Sequence, residues 1–91
     1  MAITIEELEL AKKIMFKKVS VEIELEKLTK QHEYAHAYDL ENKERCEQFK
    51  MERKILLTKI NSYKEILLEM PVTMEWRLDT AQRLKANLTD N

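Results

Sequence analysis

The sequence predicts an all-α fold, a long antiparallel helical hairpin of coiled-coil character followed by a short C-terminal helix. Three observations lead there. None of the 91 residues is glycine, where average usage of about 7% would supply roughly six. Strand bulges, tight hairpin turns and phosphate-cradling loops draw on glycine's freedom at positive φ, so a chain without it is left with helix. A stripe with alternating steps of four and three runs from Val21, Leu25, Leu28 and His32 through Cys46 and Phe49 to Leu56, Ile60, Tyr63, Leu67 and Met70. That is the spacing of a coiled-coil seam. Finally, the single proline, Pro71, divides a long helical region from a shorter one.

The first helix is expected over about residues 5–38. Thr4 is an N-cap and Glu7, three residues on, completes a capping box ahead of apolar residues at helical spacing. Pairs such as Glu9 with Lys13, Glu26 with Lys30 and Glu41 with Arg45 have the favourable order for i,i+4 attraction.

The seam allows two topologies, one helix over 5–70, on the order of 100 Å long at the α-helical rise, or two helices folded back on each other. Its polar middle, with Asp39, Asn42 and Arg53, is thin, whereas the runs Ile14-Met15-Phe16, Ile55-Leu56-Leu57 and Ile66-Leu67-Leu68 are wide. A reversal at about 38–42 lets the wide regions meet, placing Leu25 opposite Ile55, Ile14 opposite Ile66 and Leu10 opposite Met70. Asp39 or Asn42 would cap the second helix, expected over about 41–70. Pro71 ends it, because the residue before a proline is biased away from the helical region. Thr73 then caps a last helix over about 74–88, anchored by Trp76 and continued by Leu78, Ala81, Leu84 and Leu88.

A chain of this length holds one domain, residues 1–91. Half-buried helical faces on so small a chain leave apolar area uncovered, so pairing into a homodimer or higher helical bundle is expected. The residues expected to carry interaction are Leu25, Leu28, Phe49, Leu56, Ile60, Tyr63, Leu67 and Trp76.

Charge narrows the function. Sixteen Lys and Arg face seventeen Asp and Glu, and no third of the chain carries a net charge larger than one. A nucleic-acid binder ordinarily shows a basic face, since counterion release supplies much of its affinity. The even mixture argues against that class, leaving only the local run Lys12, Lys13, Lys17 and Lys18 as a basic patch for a small nucleic-acid-binding regulator. No stretch resembles a membrane span or a secretory signal. A cytoplasmic location is therefore expected, consistent with the lone Cys46.

One short constellation could carry chemistry. His32-Glu33-Tyr34-Ala35-His36 holds the only two histidines, one helical turn apart, and it resembles the H-E-x-x-H signature of zincin metallopeptidases. Asp39 extends the likeness to families reading H-E-x-x-H-x-x-D. The resemblance implies zinc held by His32 and His36, with Glu33 activating a metal-bound water as general base. It covers eight residues. The edge strand that holds a zincin substrate is replaced here by helix, and a third ligand would have to come from Glu52, Glu65, Glu69 or Glu75. Glu33-x-x-His36 also resembles half of a ferritin-like carboxylate site, completed by Glu44 or Glu47 in a dimer. Set against both metal readings, His32 sits on the seam, where a polar residue fixes register.

The expected function is thus a non-enzymatic protein-interaction module, an adaptor, chaperone-like partner or inhibitor that needs no cofactor. A zinc-dependent hydrolase or other metal-binding helical protein, built on His32, Glu33 and His36, is the alternative.

Overall fold

A computed structural model of the protein describes residues 3–38 and 43–89, with side chains for 3–33 and 44–89. It is all-α, with α1 at Ile5–Tyr38, α2 at Lys43–Glu69 and α3 at Met74–Thr89. No described residue has a positive φ. The described backbone therefore asks for nothing that only glycine supplies.

α1 begins as its cap dictates. The Thr4 hydroxyl accepts from the Glu7 N–H at 3.1 Å and donates to the Glu7 carboxylate at 2.9 Å, and Glu6 and Glu7 bring negative charge to the first turn. With 34 residues, α1 is about 51 Å long. It sets the long dimension of a molecule measuring 56 × 27 × 17 Å.

α2 returns antiparallel along α1. At one end Leu67 joins Ala11, Ile14 and Met15 in a buried cluster, with Tyr63 and Met70 packed against it. At the other, the His32 ring stacks on Phe49. α1 and α2 are therefore two arms of a hairpin and not one continuous helix. The expected start of the second helix at about 41, and its Asp39 or Asn42 cap, lie outside the described residues.

The seam holds along the hairpin: Val21, Ile60 and Leu67 are buried and Leu25, Leu28, His32, Phe49, Leu56 and Tyr63 are half-buried, while Arg53 is exposed. The face-to-face pairing differs from expectation by one residue. Ile14 meets Leu67, which is 1% exposed, and Ile66 points outward at 45%. In the same way Leu56 turns inward and Ile55 outward, and Leu10 is exposed. One residue along a helix is about 100° of rotation, so on α2, which faces a single neighbour, the middle of the Ile66-Leu67-Leu68 triplet enters the core while Ile66 and Leu68 stay exposed.

The link to α3 is short and tight. The Met70 N–H donates to the Leu67 carbonyl at 3.2 Å and the Val72 N–H to the Met70 carbonyl at 2.8 Å, with Pro71 between them. The Thr73 hydroxyl then accepts from the Trp76 N–H at 3.0 Å, and the Thr73 carbonyl from the Arg77 N–H at 3.1 Å. Val72, Trp76, Ala81 and Leu84 pack against the Ala11–Leu67 cluster, and Lys85 reaches Glu26. α3 therefore runs parallel to α1. Its backbone comes close to α1 and not to α2, which makes α1 the middle element.

Adjacent α2 positions should behave in opposite ways. Leu67→Ala removes a fully buried side chain and is expected to cost about 2–5 kcal/mol, whereas Leu68→Ala, at a residue 67% exposed, should stay within about 0.5 kcal/mol. Urea unfolding followed by circular dichroism measures both.

Candidate interaction surface

The residues expected to mediate interaction divide by depth. Ile60 and Leu67 are buried within the chain, where they hold the hairpin closed. Tyr63 and Trp76 are half-buried against the same cluster. Leu25, Leu28, Phe49 and Leu56 are half-buried along the hairpin and retain some surface.

The larger exposed apolar side chains are others. On α2, Met51, Ile55 and Ile66 are 67%, 54% and 45% exposed. Their spacing of four and eleven places them in one helical row, spanning about 22 Å. Ile55 also lines, with Leu28 and Leu56, an open depression of ≈ 390 Å³ whose charged residues are Glu24, Lys27 and Glu52. Charges of both signs around an apolar strip are ordinary for a protein-binding surface. The signal for this row was the i,i+4 pair Met51 and Ile55 lying off the seam.

A second opening lies where α2 and α3 diverge from α1. Met15, Leu67 and Ala81 contribute apolar surface to it, and Lys18, Lys64 and Arg77 contribute charge. Sequence reasoning did not find it, because those three cations come from three different helices.

The histidine motif takes a structural place at its first member. His32 is half-buried, with its ring centroid 3.8 Å from that of Phe49 and the planes 6° apart. Glu33 is exposed. His36 falls within α1, but its side chain lies outside the described residues. Among the described residues no group of three or more His, Cys, Asp or Glu side chains is placed to hold a metal ion. Glu44, Glu47, Glu52, Glu65, Glu69 and Glu75 are all exposed, and Cys46 is a half-buried free thiol.

The local charge pairs also differ from the sequence pattern. Glu26 bonds Lys85 of α3 at 2.7 Å, and the expected attraction to Lys30 along α1 is the weaker addition. The hydrogen bond and charge of Lys85 hold the Glu26 carboxyl below its ordinary value of 4.5, and the same contact with Glu26 raises Lys85 above 10.5. α3 thus carries an ionic tie to α1 beside its last apolar contact, Leu84.

Compared with models of protein families, with curated proteins and with solved structures, the chain gives no match in any of the three. Among the described residues no helix is long and apolar enough to cross a membrane.

The ion pair has a definite pH signature. The contribution of Glu26 is complete above pH 4.5 and is lost as the pH falls through its lowered folded value; that of Lys85 is complete below pH 10.5 and is lost as the pH rises through its raised one. Stability in urea should fall slightly as acid protonates Glu26, at a pH below that of an ordinary carboxyl, because an exposed pair contributes little. Glu26→Gln should remove that increment of pH dependence.

Proposed function

We propose that this chain is a non-enzymatic protein-interaction module, an adaptor, chaperone-like partner or inhibitor. It acts by packing apolar helix faces against another protein, and the same faces pair it with a second copy.

The observation that carries this reading is the amount of surface the fold leaves uncovered. The chain exposes 7502 Å², against about 5,600 Å² for a compact monomer of this mass. The excess is larger than the roughly 800 Å² that each partner gives up in a standard stable interface. The shape agrees, since the radius of gyration is 16.3 Å where a compact chain of this length has about 12 Å. Large apolar side chains are among what is exposed, Met51, Ile55 and Ile66 on one face of α2 included. Burying such a row yields about 25 cal/mol for each Å² of apolar area removed from water. Helix-to-helix packing is the mode that suits a straight row at this spacing.

Light scattering after size exclusion tests the association. The protein should elute as a dimer or larger, and Met51→Glu with Ile55→Glu should return it to a monomer with unchanged helical content. A wild-type monomer that also binds no helical partner would remove the proposal. The metal alternative has its own measurement: purified protein is expected to carry less than stoichiometric zinc and to melt identically with and without chelator. One zinc per chain, lost in His36→Ala, would reverse that outcome.

A further inference from the structure

We propose that the groove between α2 and α3 is a docking site for an acidic amphipathic helix of another protein. This rests on the reading of the chain as an interaction module, and it adds the chemistry of the partner and the place where it sits.

The groove exists because α2 and α3 both pack on α1 while their own backbones do not come close. Its depression of ≈ 190 Å³ is lined by apolar Met15, Leu67, Met74, Leu78 and Ala81, and by Lys18, Lys64 and Arg77. Every ionisable group on that wall is cationic, although the whole chain has a net charge of −1. The three cations are not equivalent. Lys18 is 15% exposed and already bonded to Glu22 at 2.6 Å. Lys64 is exposed, and the Nε–H of Arg77 is buried without a hydrogen-bond acceptor. Arg77 is half-buried and carries its positive charge at this wall, where a carboxylate is the partner that suits a guanidinium.

The shape points to a helix. Met74 and Leu78 stand one turn apart on α3, 66% and 61% exposed, and Leu68 lies one turn beyond Lys64 on α2. Two helical walls over a helical floor lack a fourth column, and a helix laid between them completes a four-helix bundle. The depression has room for an apolar side chain or two, since a cavity of about 150 Å³ holds a benzene. No strand among the described residues offers an edge to an extended peptide. Apolar residues on the inner face of the incoming helix would meet the exposed Met74 and Leu78, and carboxylates at its margins would meet Lys64 and Arg77.

The test uses the isotope-labelled full chain and two synthetic helical peptides of about 18 residues, long enough to hold helix. Both carry leucines at i, i+4 and i+7, and one is flanked by glutamates where the other has lysines. The acidic peptide should shift the amide signals of Leu67, Met74 and Leu78, bind more weakly as salt rises, and lose at least about tenfold in affinity in Arg77→Glu. Lys64→Glu, at an exposed position, should show the same direction of loss if Arg77→Glu fails to fold. Equal binding of both peptides, or affinity unmoved by Lys64→Glu, would overturn the groove. Shifts confined to Met51 and Ile55 would do so too, while leaving the interaction module standing. A dimer dissolved by Leu78→Glu would mean that a second copy occupies the groove, which also overturns the assignment. If neither peptide binds and the wild type is monomeric, the groove and the module fall together.

Discussion

Everything in this fold depends on how α1 divides its circumference between two neighbours whose backbones stay apart. Ile14 and Leu28 lie with Leu67 and Leu56 of α2, and Met15 and Val19 help form the floor on which α3 rests. Ala11 sits in the cluster shared by both and is fully buried, its small side chain letting the neighbouring helices draw in. A helix that serves two partners needs an apolar arc far wider than a coiled-coil seam. This is the physical meaning of the consecutive apolar residues near the start of α1, which a two-stranded structure could not bury.

Much of the fold was legible because helix capping and helical period are local. Thr4 and Thr73 have the residues they cap three positions away, and both caps form as their sequences require. Pro71 marks the break between α2 and α3 for an equally local reason, since its ring governs only the adjoining backbone. The pairing between helices is less local. Ile55-Leu56-Leu57 and Ile66-Leu67-Leu68 each offer three apolar choices in succession, and hydrophobicity alone does not select among them. The seam written by alternating fours and threes contained Leu56 and Leu67, the residues that do turn inward. Pairing by matching wide regions chose their neighbours instead, and so missed the faces by one residue.

The surface was the least legible part. Glu26 has Lys30 within reach along its own helix, yet its carboxylate bonds Lys85, 59 residues away. The cations beside the Leu67 floor come one from each helix, so no window of sequence contains their pattern. The motif around His32 is the opposite case, since its pattern is conspicuous in sequence. Aromatic stacking on Phe49, a residue on the other arm of the hairpin, gives His32 a packing role that the spacing of histidines does not reveal.

The unequal attachment of α3 bears on which elements can separate from the rest. Its docking floor is built partly from Leu67, which is in place only after α2 has folded back along α1. The hairpin needs nothing from α3 in return except cover for that floor. On contacts alone, α3 is the element whose detachment leaves the pairing of α1 with α2 in place, whereas detaching α2 would take part of the floor of α3 with it.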